Sequence, residues 1–513
     1  MDRRPQGEAD RSRVVTMLVR SARDRGPYGR DGDADNLPNE RGTQDMSLLD
    51  PLRGAYVAAP SWVRAAASHV LAVAPTRALY GKTYRTWRES IASGRSDPNF
   101  AGLFARQALA EVLTSALQQS NFYTRRVTRR RVSPEEALAV LSEFPVLTKE
   151  DVRDNAAEIA IVPLDRLSCV TTSGSSGSPL RVWLDRDRGV REQAFIHEVW
   201  ARAGFRPGDA RGVFRGVHID DVDARPLQWE AALRELRCSP FHLTDEHMGR
   251  YAHELERRNI RYLHGYPSAL AIFGGYLQRA NEAWRERVRG VFPISEPMYS
   301  DQWPRLSAAF PNAKLLPFYG LSEKVAFGEP AERPQGQYAM NPLYGWAELV
   351  DDEGKPLTDR GARGRLVSTG FLSRGMPLIR YDTGDVAELV APALPENCWR
   401  LTVRGLTGRW QREFLVSHAG ALLSMTALNI HSPNYLSMVA FMFEQSEPGR
   451  ATLLAVPAPG ADRAAIEAYL DELRAKVGSG VEFELRIVET LPAGARGKRR
   501  FIDQKLDLSH FGA

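Results

Sequence analysis

Four short stretches of this chain have the residue types of a site that handles phosphate. Thr171-Thr172-Ser173-Gly174-Ser175-Ser176-Gly177-Ser178-Pro179 offers backbone N–H groups and hydroxyls in a tight glycine-rich run, a combination that places donors around phosphate oxygens without steric bulk. Tyr319-Gly320-Leu321-Ser322-Glu323 supplies one carboxylate, enough for a hard cation whose other ligands are phosphate and water. Arg380-Tyr381-Asp382-Thr383-Gly384-Asp385 ends on a further carboxylate, and Lys498 lies in the basic run Gly494-Ala495-Arg496-Gly497-Lys498-Arg499-Arg500. Each stretch also has an ordinary reading: a flexible turn, a turn into a helix capped by Ser322, a surface turn and a solvated tail. The first is not a Walker A loop, and the nearest look-alike, Thr76 to Thr83, lacks its first glycine.

In this order and spacing the four stretches resemble the adenylate-forming enzymes, the superfamily of acyl-CoA synthetases and peptide-synthetase adenylation domains. Within it they resemble the phenylacetate-CoA ligase branch with its capsular-polysaccharide-type relatives, over about residues 100 to 510. The resemblance implies an ATP- and Mg²⁺-dependent ligase that converts a small carboxylic acid to an acyl-AMP and passes the acyl group to CoA or a related thiol. Thr172, Ser173, Gly174, Ser175, Ser176 and Gly177 would then embrace the β- and γ-phosphates. Tyr319 and Gly320 would lie against adenine, with Ser322 near the α-phosphate and Glu323 on the metal. Ser295, Glu296 and Pro297 would line the adenine pocket. Asp385 would accept hydrogen bonds from both ribose hydroxyls, and Arg409 would add a ribose or phosphate contact. Lys498 would bridge carboxylate and α-phosphate as charge builds in the transition state.

The same resemblance places the acyl pocket around Phe241, His264, Gly265, Tyr266 and Pro267, with residues near Phe327. Aromatics suit a bulky acid, and they equally suit a plain core. Gln411 departs from the Asp or Lys that close relatives carry two residues after the arginine of Gly408-Arg409, at the hinge of the small domain. The runs 415 to 420 and 428 to 431 look more like the capsular-polysaccharide-type relatives. The acceptor is therefore open between a thiol and an amine, the latter making an amide-forming ligase, and a non-catalytic nucleotide-binding protein of the same fold is the third reading. Glu329 to Tyr344 contains neither the cysteines nor the histidine with which some branch members hold zinc, so no zinc is expected. His197 and His218 have no evident partner and are read as structural.

The elements that must position these residues follow from periodicity. In Phe104 to Leu117, apolar residues recur at helical spacing. Beyond Pro145, short apolar runs (181–184, 212–217, 261–266, 291–294, 315–319) alternate with helical stretches (247–258, 268–288), which means a largely parallel sheet covered on both faces. After Gly328 the rhythm becomes strand and turn, at 346–350, 364–369 and 377–381. Strands at 438–443, 451–456 and 481–488 with a helix over 462–477 complete a small α+β unit. The expected fold is α/β. A large N-terminal domain (46–407) has mixed, mostly parallel sheets covered by helices plus an antiparallel subdomain, and a small mobile α+β domain (408–513) carries Lys498. Residues 1–45 read as a disordered leader, with Met46 as an alternative start.

Composition narrows the class. At 513 residues with 43% hydrophobic content the chain can build two cores. Basic residues exceed acidic ones only by 68 to 63, with no long basic block interleaved with aromatics, so nucleic acid is not an expected partner. Three widely separated cysteines fit a reducing cytoplasm. The most apolar stretch, Tyr56 to Leu79, is broken by Pro60, Arg64, His69 and Pro75, so no membrane span is expected.

Overall fold

Asp97 starts the helix Pro98–Gln119: its carboxylate accepts from the N–H groups of Asn99 and Phe100, and Pro98 fills the first helical position. The apolar face read over 104–117 is buried there, from Phe104 to Leu117. The computed structural model describes residues 76–129, 131–172, 180–217, 219–331, 336–407, 413–428, 433–492 and 501–511. The leader, Met46 and the division expected at 408 lie outside them. No helix among the described residues is long and apolar enough to cross a membrane.

The α/β expectation holds. One six-stranded sheet runs in the order Leu227–Glu230, Glu235–Cys238, Arg211–Phe214, Tyr262–Gly265, Gly290–Pro293, Lys314–Leu315. The first two strands pair antiparallel and the remainder are parallel. The helices Asp245–Arg257, Pro267–Arg279 and Gln302–Ala309 are the crossovers such a sheet requires. The first pair was not evident in the sequence, because Leu227–Glu230 is short and mostly half-buried and shows no alternation.

A seven-stranded antiparallel sheet follows, ordered Gly345–Val350, Arg363–Gly370, Tyr381–Ala391, Thr402–Thr407, Gln337–Met340, Phe327–Pro330, Tyr319–Gly320. The strand read over 377–381 in fact starts where that reading ends. Arg380 sits at φ 49, and its N–H bonds the Thr369 hydroxyl rather than a strand partner, so pairing begins at Tyr381. Four strand spacings, about 19 Å if flat, separate Tyr381–Ala391 from Tyr319–Gly320. Their side chains nevertheless meet, as described below, so the sheet curls. Register shifts at Val386/Glu388 and Leu389/Ala391, at the start of this interval, are irregularities of the kind that bend a sheet.

Near the C-terminus, the hairpin Met438–Glu447/Arg450–Pro457 takes Glu482–Ile487 and Ile502–Gln504 on its two sides, with the helix Arg463–Val477 against it. Its core is continuous with that of the parallel sheet: Phe214, Leu263 and Phe273 belong to one buried cluster with Leu415, Leu423, Tyr435, Leu470 and Phe483. A polar clamp reinforces this junction. Asp223 Oδ1 accepts from the Ser479 N–H and hydroxyl, both at 2.7 Å, and from His242 Nε2 at 3.1 Å, while His242 Nδ1 meets Ser239 Oγ.

His197 is a satisfied core histidine, held between the Tyr84 hydroxyl and the Gln193 amide at 2.7 Å each. His218 lies outside the described residues. Glu329 ties three elements together through Arg95 (3.0 Å), Arg400 (3.2 Å) and Asn341 (2.6 Å). Burial alone would raise its carboxyl, but the two arginines and the amide hold it at about 2. The folded value is thus below the unfolded one, and the stabilisation is complete above the ordinary carboxylate range. It amounts to about 2–3 kcal/mol, Arg95 being partly solvated, and is lost as pH falls toward 2. Denaturant unfolding between pH 5 and 2.5 should show a smaller acid-dependent loss in Glu329→Gln than in the wild-type protein.

Candidate active site

The last parallel strand, Lys314–Leu315, runs within four residues into Tyr319–Gly320, the edge strand of the antiparallel sheet. Tyr319-Gly320-Leu321-Ser322-Glu323 therefore lies where the two sheets join, outside the carboxyl ends of the parallel strands. Open α/β sheets bind ligands at this edge. Tyr319 pairs with Gly328 and Gly320 with Phe327. The turn that follows holds Ser322 half-buried and closes with Lys324 at φ 57, its ammonium bonded to Glu192 at 2.7 Å.

Sheet curvature brings the second motif to the first. The Tyr319 hydroxyl donates to Asp385 Oδ2 at 2.6 Å, and the Tyr381 hydroxyl donates to Glu323 Oε1 at 2.8 Å. Two carboxylates from distant sequence are thus each held by a tyrosine of the other motif. Burial pushes the Asp385 carboxyl up, against the pull of the Tyr319 hydroxyl and Lys149. Burial also pushes the Tyr319 and Tyr381 hydroxyls well above their ordinary range, so both remain donors. Each carboxylate keeps one oxygen, Asp385 Oδ1 and Glu323 Oε2, without a hydrogen-bond partner among the described residues.

The residues between Arg380 and Asp385 build the turn. Asp382 accepts from Arg365 at 2.6 Å and from the Gly384 N–H at 2.8 Å. The Thr383 hydroxyl donates to the Leu366 carbonyl at 2.7 Å and accepts from the Asp385 N–H at 3.1 Å. Gly384 stands at φ 81, a conformation that glycine adopts without the Cβ penalty. Arg380 is buried and faces inward. It makes a two-pronged pair with Glu348 at 3.2 Å and donates to the carbonyls of Phe144 at 2.9 Å and Gly354 at 2.6 Å.

Ser295 and Pro297 are exposed just beyond the strand Gly290–Pro293, Ser295 at φ 70. Glu296 turns inward, and its Oε2 accepts from the Ser268 N–H (3.2 Å) and hydroxyl (2.8 Å), capping the helix Pro267–Arg279. Ser295, Lys324 and Arg380 are non-glycine residues in the left-handed region, each within or beside a motif, where such strain collects at sites.

Phe241, His264, Tyr266 and Pro267 are buried, and a Cβ on Gly265 would meet the Phe214 carbonyl oxygen at 2.4 Å. Their polar atoms are engaged: His264 with Phe292 and Arg215, and the Tyr266 hydroxyl with the Gly216 N–H. Phe327 stacks between Phe318 and Tyr344. A cavity of about 430 Å³ opens elsewhere, between the helix Pro267–Arg279 and the hairpin Phe414–Val416/Leu422–Ser424. Ser173, Gly174, Ser175, Ser176 and Gly177 lie outside the described residues, as do Arg409, Gln411, the run 429–432 and Lys498. Thr172 closes the strand Ser168–Thr172 that leads into the glycine-rich loop.

Among the described residues no group of three or more His, Cys, Asp or Glu could hold a metal by itself. The free Oε2 of Glu323 is a hard oxygen donor, and a single such carboxylate fits Mg²⁺ carried on phosphates. Tyr381 stands inside a motif but was given no role in the sequence, and Lys149 was not singled out, since neither a cross-motif hydrogen bond nor a distant lysine is visible locally.

No family model matches the chain. Protein CapK of Staphylococcus aureus is 23% identical over 405 residues, covering 77% of this chain and 87% of its own length. A phenylacetate-coenzyme A ligase of Thermus thermophilus is 26% identical over 326 residues, covering 58% and 67%. Among solved structures, 2-hydroxyisobutyryl-CoA ligase in complex with 2-HIB-AMP and CoA aligns over 79% of this chain and 90% of its own at 19% identity, with a TM-score of 0.48.

Proposed function

We infer that this chain, which belongs to the adenylate-forming superfamily and has CapK and the phenylacetate-CoA ligases among its relatives, is an AMP-forming ligase that activates a carboxylic acid. The observation that carries the reading is the convergence of Tyr319, Glu323 and Asp385 through two tyrosine–carboxylate bonds at the edge of the parallel sheet.

In this reading Asp385, its Oδ2 fixed by Tyr319, accepts from the ribose hydroxyls of ATP. Tyr319 and Gly320 lie against adenine with Ser295 and Pro297, and Glu296 holds that segment against the helix Pro267–Arg279. Thr172 and the loop 173–177 hold the outer phosphates. Glu323 would hold Mg²⁺, which would supply neutralisation of the phosphate charge. Ser322 and Lys498 face the α-phosphate. The acid's carboxylate oxygen attacks the α-phosphorus, the bond to pyrophosphate breaks, and Lys498 stabilises the charge that builds between them. Residues 408–513 would be the small domain that delivers Lys498, with Arg409 at its root.

The acyl group then passes to the thiol of CoA or a related thiol, with AMP leaving. The departure at Gln411 supports a second reading, in which an amine attacks the adenylate and an amide forms.

The test is hydroxylamine-trapped adenylation with ATP and Mg²⁺ across aryl, fatty and amino acids, followed by product analysis with CoA or amines. Pyrophosphate release that requires an acid, and a thioester only when CoA is present, is the expected result. Amide formed without CoA moves the assignment to the second reading. ATP binding with no release for any acid leaves a nucleotide-binding protein without turnover. Tyr319→Phe should raise the KM for ATP about tenfold with little change in kcat, since it removes one hydrogen bond that orients the ribose carboxylate.

A further inference from the structure

Arg215 and Gly216 follow the carboxyl end of the strand Arg211–Phe214, and Tyr266 follows its parallel neighbour Tyr262–Gly265. This is the ligand-binding edge of the sheet. His264 Nδ1 lies 3.0 Å from the Phe292 carbonyl, which can only accept, so that nitrogen carries the proton. Nε2 is then an acceptor, and Arg215 Nη1 donates to it at 3.2 Å. Burial, with Arg215 and Arg211 nearby, pushes the imidazole well below its ordinary range and keeps it neutral. His264 therefore aims Arg215 without neutralising it. No carboxylate among the described residues pairs with Arg215, and its buried Nε has no hydrogen-bond partner.

A second cation reaches the same place from the helix Arg463–Val477. Lys476 packs so closely on Gly216 that a Cβ there would lie 2.6 Å from its Cε and 3.0 Å from its Nζ. Burial and the charge on Arg215 bring the ammonium down to about 8. Two half-buried cations side by side disfavour each other, an arrangement that an anion between them relieves.

We propose that Arg215 and Lys476 bind a second anionic group, a carboxylate or phosphate, on the acid whose first carboxylate is activated. The proposal rests on the acyl-adenylate reading above. The pair stands beside His264 and Tyr266, around which the family resemblance places the acyl pocket, and it selects dianionic over monoanionic substrates.

Matched acids test it: adipate against hexanoate and terephthalate against benzoate, measured by calorimetric binding and by acid-dependent pyrophosphate release. The proteins are wild type, Arg215→Gln and Lys476→Met. In at least one pair wild type should bind the dianion about 10- to 100-fold more tightly, and each variant should bring the ratio to within about threefold of unity. A wild-type ratio near one in every pair overturns the proposal, while pyrophosphate release with the monoanions leaves the adenylating activity standing. Arg215-dependent dianion binding with no pyrophosphate release upholds the anion site and overturns the adenylation reading. A variant effect on the KM for CoA and on no acid pair assigns the cations to the phosphates of the thiol and also overturns the proposal. Should Arg215→Gln fail to fold, Lys476→Met carries the comparison.

Discussion

Replacing Glu323 by glutamine should lower acid-dependent pyrophosphate release by about 10²- to 10³-fold while leaving the protein folded. Glutamine keeps the size of the side chain and an oxygen that accepts from the Tyr381 hydroxyl, so the tie between the motifs survives. What disappears is the negative charge that would hold Mg²⁺, in a buried place where water cannot replace it cheaply. The concentration of Mg²⁺ needed for half-maximal rate should therefore rise. Lys498→Ala should lose a similar factor in rate with ATP binding and the Mg²⁺ requirement unchanged, because the ammonium acts on the transition state. A Glu323→Gln protein that releases pyrophosphate at the wild-type rate would reduce Glu323 to a structural acceptor for Tyr381.

Arg380→Met should cost about 3–5 kcal/mol of unfolding free energy, although Arg380 stands at the head of a motif read for chemistry. The guanidinium is 4% exposed, pairs with a buried Glu348 and satisfies two carbonyls that have no water to turn to. Removing it strands the carboxylate. Burial already pushes Glu348 up against the pull of Arg380, so in the variant it takes up a proton more readily still. The deficit should accordingly be largest at neutral pH and shrink as pH falls, when Glu348 is neutral. Urea midpoints at pH 7 and pH 5 measure it; an equal deficit at both would place the cost in packing rather than in charge. Arg380→Met/Glu348→Met should recover part of the loss.

Much of the fold was legible because strand and helix alternate with clear periods from 180 to 320, and the core helix at 98–119 shows its face in the sequence. The strand at 377–381 was misplaced, since a positive φ at an arginine is fixed by its buried partners and not by local preference. The motifs marked Tyr319, Glu323 and Asp385. They could not show the bond from Tyr381 to Glu323, which depends on a sheet curling through about 19 Å. Nor could they mark the pair Arg215 and Lys476, 261 residues apart, since two cations acquire meaning only when a fold sets them side by side. The aromatics at 241 to 267 read equally as pocket or core in the sequence, because both draw on the same side chains.

The join between the sheets, a few residues long at 316–318, has a consequence for how such a protein changes over time. The contacts assigned to ATP hang mainly on one sheet and those assigned to the acid on the other, joined by this bridge and by a shared core of Tyr262, Phe292, Phe318 and Phe327. Mutations at the ends of the parallel strands, around 215–217 and 266–268, can then retarget the protein to a new acid without disturbing how it handles ATP. A library confined to those positions is the economical way to redirect it, and its failures should be inactive toward the new acid yet still able to bind nucleotide.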